Sequence, residues 1–377
     1  MGFIIVNGVL IKCIGANDEM EITIPDGVRE IAPCAFKGSK NLYKVVIPGT
    51  VKAIGEWAFG FCRKLQFVRI GNGVEEIQAG AFEGCAHLQK ISIPKSVRVI
   101  GDSVFSMCGS LTEFDIPNGV EKVGDYAFYD CVKLKYVNIP NGVHHIGEGA
   151  FIDCKALTEI VIPSSVRFLG REVFSCGKRL KSIKIAEDNE NYFSTENAVF
   201  TKDGMTLIKY FGKDDTVYNV PDGVLFITGS AFAHCNNLRR IIIPDTVIKI
   251  GSGAFWQCTH LREINIPNRI CEIKPNTFFG CVELERVILS KNLTRIGSCA
   301  FHGCGSISGI YISEGNVIIA PLAFARCVRL KEIHIPKSVR SIDVTAFEKC
   351  YGLTIYTPKG SNAESFAREH NFKVVTV

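Results

Sequence analysis

The chain has 377 residues, 47% of them hydrophobic and 21% charged, which is ordinary globular composition with ample material for a large core. A formal net charge of +5 without a run of like charges argues against nucleic acid as the partner, and no apolar stretch reaches the ~20 residues of a membrane-spanning helix. The sequence holds no Cys-x-x-Cys, no phosphate-binding or zinc-protease motif, no Gly-x-Ser-x-Gly and no histidine ligand spacing, so no cofactor, metal or catalytic residue is assigned.

The N-terminal segment, "MGFIIVNGVLIKCIGANDE", lacks a basic region and a small-residue cleavage site and does not read as a signal peptide. If the chain is the native full length, that points to the cytoplasm. Residues 1–24 are read as a hairpin cap, because "LIKCIG" at Leu10 parallels "LIKYFG" at Leu207, and each is followed by an acidic loop and "PDGV".

A first repeat block covers residues 25–185. Phe36, Phe59, Phe82, Phe105, Phe128, Phe151 and Phe174 recur every 23 residues, and after an interruption so do Phe232, Phe255, Phe278, Phe301, Phe324 and Phe347 in a second block, 221–353. Six residues after each Phe stands Leu, with Ile307 the exception; five before it stands Ile, Val or Leu; eleven before it usually stands Pro, as at Pro25, Pro48, Pro94, Pro117 and Pro140. A unit this small cannot bury its apolar face against itself, so successive coils must stack.

Within a unit, "LQKISIP" turns Leu88, Ile91 and Ile93 inward and Lys90 and Ser92 outward, a short strand that Pro94 ends. "SVRVIG" places Val97 and Ile100 inward and closes on Gly101. "DSVFSMC" then packs Val104, Phe105 and Cys108, a spacing that suits one short helical or 3-10 turn. Parallel strands from successive coils would lie ~4.8 Å apart.

Eleven cysteines, from Cys62 to Cys350, occupy one column three residues after the repeat Phe, and Cys176 falls one residue early in its coil. A thiol bonds only once, so such a column cannot form a continuous disulfide ladder. Free cysteine packs as a small hydrophobe, so the column is read as reduced core. The inserted segment, 186–220, contains two apolar runs around Asp203-Gly204, a hairpin signal. It is read as a capping and joining element; the alternative is a projecting ligand-binding loop with Tyr192 and Phe193 as contacts. Residues 354–377 read as a C-terminal cap: Ser361 and Glu364 have capping-box spacing, and "FKVVTV" adds a final strand. The whole is expected to be one continuous solenoid domain.

The pattern Leu-x-x-Ile-x-Ile-Pro-x-x-Val-x-x-Ile-Gly-x-x-Ala-Phe-x-x-Cys, which runs from about Ile22 to Leu353, resembles the BspA-type leucine-rich repeat, a bacterial class also found in some protozoan parasites. The resemblance implies a β-rich (α/β repeat) solenoid, a right-handed leucine-rich-repeat superhelix. It also implies a secreted or cell-surface protein that binds other proteins, including host matrix proteins, in adhesion, without catalysis.

Function is therefore sought on the outward strand positions, two and four residues after the repeat Leu, expected to form a concave face. Aromatic and arginine side chains are the usual anchors of protein interfaces. Two clusters combine them: Phe67, Arg69 and Tyr136, and Arg240, Arg286 and Tyr311, with Val161, Ile242 and Ile288 adding apolar area. The expected ligand is a protein, bound by a monomer without nucleic acid or membrane insertion. The alternatives are a structural spacer or assembly scaffold, or a glycan-binding or glycan-hydrolysing surface built on Glu113, Asp115 and Glu159, although an open sheet lacks the pocket a hydrolase needs. His144-His145, the one histidine pair, reads as a solvated turn.

Overall fold

The computed structural model describes residues 2–14, 21–175, 179–315 and 317–377. Cys176 lies outside these residues, as does the acidic loop after the N-terminal hairpin. The chain divides into two compact units, Met1–Ser194 and Thr195–Val377, the division falling inside the inserted segment.

Each unit is a β-solenoid that opens on a hairpin. In the first, β1 (Gly2–Val6) pairs antiparallel with β2 (Val9–Ile14) around Asn7 and Gly8, both at positive φ (51° and 79°). That conformation is what a two-residue hairpin turn with native strand twist requires. In the second, Ala198–Thr201 pairs antiparallel with Thr206–Tyr210, and Gly204 takes φ 72°. Both hairpins then feed a parallel ladder of two-residue strands, with Leu10 opposite Ile31 and Leu207 opposite Ile227. The module repeats in structure as it does in sequence.

In the first unit this ladder continues through Ile54, Ile77, Ile100, Val123 and Ile146 to Leu169, giving a nine-stranded sheet that begins at β1. The longer strands form a second parallel ladder, for example Lys44–Ile47, Phe67–Ile70 and Lys90–Ser92. Alternate residues of each face the core, so Val45 and Val68 are buried while Arg69 and Lys90 are exposed.

The Phe segments differ from the expected helical or 3-10 turn. They are runs of turns in which every second residue donates its N–H to the next coil: Ser103 to Asp125 O, Phe105 to Ala127 O and Met107 to Tyr129 O, at 2.7–2.8 Å. Ser103 and Met107 have φ of 54° and 59°, which no right-handed helix accommodates. The same two columns take positive φ in most coils, at Trp57 and Phe61 and at Leu322 and Arg326 among others. Hydrogen bonding between coils thus replaces hydrogen bonding within a helix, and it offsets the cost of left-handed backbone at residues with side chains.

The repeat phenylalanines stack face to face through each core. Phe36–Phe59 centroids lie 4.8 Å apart and Phe128–Phe151 5.5 Å; in the second unit Tyr210 heads the stack, 5.3 Å from Phe232. Offset stacks of this kind add to the burial of the rings themselves. No disulfide joins cysteines among the described residues. Those of the repeat column donate Sγ–H to the Phe carbonyl of the preceding coil, as from Cys62 to Phe36 O (3.1 Å) and from Cys258 to Phe232 O (3.0 Å), except Cys235, whose acceptor is Tyr210 O at 3.8 Å.

At the C-terminal end a helix and a strand pack on the last coil. Ser361 accepts the N–H of Glu364 (3.0 Å) at the start of α1 (Asn362–Glu369), the only α-helix among the described residues. The Glu364 carboxylate reaches one residue further back than in a simple capping box, accepting from Gly360 N (2.6 Å). Ala363, Phe366 and Ala367 are buried, and Lys373–Thr376 adds the last strand, parallel to Thr354–Thr357.

Candidate functional site

The outward side chains of the longer strands are set by pairing register. A parallel ladder places equivalent residues of successive coils side by side, so the face is made of columns rather than scattered positions.

In the first unit Phe67 stands between Lys44 and Lys90, and Arg69 between Val46 and Ser92. Phe67 is half-buried, its ring edge-on to Tyr43 at 5.4 Å, while Arg69 is exposed. Tyr136 is exposed but three coils further on, paired beside Glu113. Three strand spacings are about 14 Å, so Phe67 and Arg69 form one group and Tyr136 another. Glu113 and Asp115 share a strand, and Glu159 is held by Lys184 at 3.2 Å. The two consecutive histidines diverge: His144 Nδ1 lies 3.2 Å from Ser165 O, while the His145 ring stacks on Phe168 at 4.5 Å. Burial, followed by the nearby Lys122, holds the His145 imidazole below its ordinary pKa. Tyr192 is buried, its hydroxyl accepting from Leu169 N (3.0 Å) and donating to Arg167 O (3.4 Å). It is thus a packing residue, not an exposed contact of a projecting loop.

The second unit brings two of its three candidates together, the arginines, while Tyr311 stands on a strand of a separate sheet. Arg240, Glu263 and Arg286 are directly opposite one another in register, and both guanidinium groups approach the Glu263 carboxylate at 3.8 Å. Two residues along each strand, Ile242, Asn265 and Ile288 form the neighbouring column, in which Ile288 is 48% exposed. Tyr311, 64% exposed, lies one repeat beyond Ile288. Its ring stacks on His334 at 4.2 Å, and His334 stacks on Tyr356 at 4.6 Å, each pair within 10° of parallel.

Tyr356 escapes the sequence columns because the last repeat loses one residue: Thr354, the residue after Leu353, pairs with Glu332, which is two after Leu330. The observed register Glu332↔Thr354 and His334↔Tyr356 restores it to the row. This face presents aromatic, apolar and guanidinium groups at exposed strand positions. Among the described residues no group of three His, Cys, Asp or Glu side chains is placed to hold a metal ion, and no helix is long and apolar enough to cross a membrane.

The profile of the BspA type leucine rich repeat region, in six copies, matches residues 16–132, 99–216 and 226–354. Among solved structures, a leucine rich cell surface protein from Faecalibacterium prausnitzii is 31% identical with a TM-score of 0.74, over 96% of this chain and 94% of that one. A leucine-rich repeat protein from Bacteroides ovatus is 26% identical with a TM-score of 0.58, over 98% and 94%. The pneumococcal vaccine antigen PcpA, 22% identical with a TM-score of 0.71 over 98% and 91%, shares the fold. A comparison with curated proteins gives no match. The repeat columns, the coil geometry and these similarities agree: the chain belongs to the BspA-type leucine-rich repeat family.

Proposed function

We propose that this protein is a non-catalytic interaction or adhesion module, displayed at a cell surface, that binds a protein partner through the longer-strand face of its second unit. The observation that carries this reading is the pair of exposed groups on this face: Ile288 beside Arg240 and Arg286, and, one repeat on, Tyr311 stacked on the half-buried His334 and Tyr356. Large exposed aromatic and aliphatic side chains beside arginine are the composition of interface hot spots. Kinship with a leucine rich cell surface protein supports the location. The Phe67, Arg69 and Tyr136 positions are less suited to one contact, being divided by three coils.

The test is affinity capture of a ligand from host matrix and cell-surface proteins, followed by binding measurements on single variants. Tyr311→Ala and Arg286→Ala should each weaken binding by about thirtyfold, the effect of losing roughly 2 kcal/mol at an anchor. Tyr136→Ala should leave it unchanged. Mixed charge on the face calls for a modest salt dependence. Full affinity in both second-unit variants would remove the site from this face.

A further inference from the structure

The chain contains the same hairpin twice, and its two copies differ in what covers them. In the first, Ile5 pairs with Leu10, the register then shifts, and Ile4 pairs with Lys12. In the second, Phe200 pairs with Leu207, the register shifts at the same place, and Val199 pairs with Lys209. The shared irregularity makes Ile5 equivalent to Phe200 and Ile4 to Val199. Phe200 and Val199 are 2% and 0% exposed, whereas Ile5 and Ile4 are 41% and 40% exposed. Further along, Phe211 is buried while its counterpart Ile14 is exposed. Val6 and Ile11 are exposed as well, so one short hairpin presents five large aliphatic side chains to solvent.

Among the described residues nothing pairs with the outer backbone edge of this hairpin either. β1 is the outermost strand of the nine-stranded sheet. Its five residues, GFIIV, carry no charge and no proline. Protected edge strands normally carry lysine, proline or a covering element. The opposite end of the chain has such protection: the edge strand Lys373–Thr376 begins with a lysine and lies against α1. Association through the bare end alone closes after two copies instead of growing into a filament.

We propose that β1 is an intersubunit strand, pairing antiparallel with β1 of a second copy of this chain so that the hairpins cover each other's Ile4, Ile5 and Val6. The partner is a second copy because an uncharged strand meets itself with no like-charge opposition, and because the pairing continues the existing nine-stranded ladder across a twofold axis. The protein is then a dimer in place of the monomer expected from sequence, with the longer-strand face left free.

Light scattering and sedimentation of the whole chain across micromolar concentrations test this. The wild type should run at twice its 41.5 kDa mass. Ile5→Lys, which places a charge at the pairing edge, should run at the single-chain mass with an unchanged far-ultraviolet circular dichroism spectrum. Val217→Lys, at an exposed strand position of the second unit, should remain dimeric. Hydrogen exchange on the wild type gives a readout that needs no variant: β1 amides should be protected at high concentration and lose protection on dilution. A wild type that stays at 41.5 kDa throughout, a dimer indifferent to Ile5→Lys, or a dimer whose β1 amides exchange freely would overturn the proposal.

Discussion

The thiol of Cys131 donates to the carbonyl of Phe105, 3.1 Å away and 26 residues earlier in the chain. The contact recurs with the repeat, at Cys154 and Phe128 O (3.2 Å) and again at Cys304 and Phe278 O (3.1 Å). Each cysteine therefore fills a core position and also supplies a donor to a carbonyl of the preceding coil; Ser39, which holds the cysteine position of the first coil, donates instead within its own coil to Phe36 O (2.7 Å), the carbonyl that Cys62 also reaches. Native protein treated with a thiol reagent should label first at Cys34 and Cys271, the two exposed cysteines among the described residues. The full 16 should appear only in denaturant. A count well short of 16 under denaturing, non-reducing conditions, as six or more disulfides would give, would overturn this.

Burial also links these thiols to pH. It pushes Cys131 and Cys281 up to about 12 and Cys62 and Cys235 up to about 11, from an ordinary 9.0. Above pH 9 the unfolded chain sheds thiol protons that the folded chain keeps, so the folded state binds more protons and loses relative stability as pH rises. The stabilisation is fully present below about pH 9 and declines toward pH 11–12, by up to about 1.4 kcal/mol per pH unit for each thiol. Melting temperature should be flat near neutrality and fall steeply in alkali, and Cys131→Ala should make that fall shallower.

Phe128 sits in mid-stack, 5.4 Å from Phe105 and 5.5 Å from Phe151, and is fully buried. Phe128→Ala opens a cavity between two coils that are held in place by their own hydrogen bonds, and should cost about 3–5 kcal/mol. Lys135 is exposed, and Lys135→Ala should change stability by less than ~0.5 kcal/mol. Denaturant unfolding of the two variants measures the difference. Equal midpoints would contradict the placement of the Phe column in the core.

What the sequence made legible and what it hid follow from one physical distinction. Positions that face the core meet the same surroundings in every coil, so Phe, Leu, Ile and Cys recur in columns and their burial follows directly. The turn runs have no such mark. Their left-handed residues include Trp57, Phe61 and Met107, types that signal nothing about positive φ, because inter-coil hydrogen bonds and not local preference hold the backbone there. Tyr210 replaces the stack phenylalanine within a hairpin, outside the 23-residue phase, and Tyr356 is displaced by a one-residue deletion. The first becomes visible through its ring stacking on Phe232, the second through strand register. The hairpin module itself was legible, since Leu10 and Leu207 open nearly identical segments and meet equivalent partners.

Glycine offers the sharpest test of coil spacing. Gly55 ends a short strand, and a β-carbon there would lie 2.7 Å from both Ile31 O and Pro33 N, backbone atoms of the preceding coil. Its φ lies outside the left-handed region, so the constraint is one of approach and not of conformation. A methyl group would have to push two hydrogen-bonded coils apart, including the Gly55 N–H to Ile31 O bond of 2.8 Å. Gly55→Ala should therefore destabilise by about 1–3 kcal/mol, as overpacking against an unyielding neighbour does. Gly109 makes the control. A β-carbon there would meet Val132 Cγ2 at 3.7 Å and Ala86 O at 3.9 Å, ordinary contacts, and its φ is likewise outside the left-handed region. Gly109→Ala should be neutral or stabilising by up to ~1 kcal/mol through loss of unfolded-state freedom. Opposite signs in the two melting curves would identify coil-to-coil contact as the reason for the Gly column; a matching loss in both would assign it to backbone conformation instead.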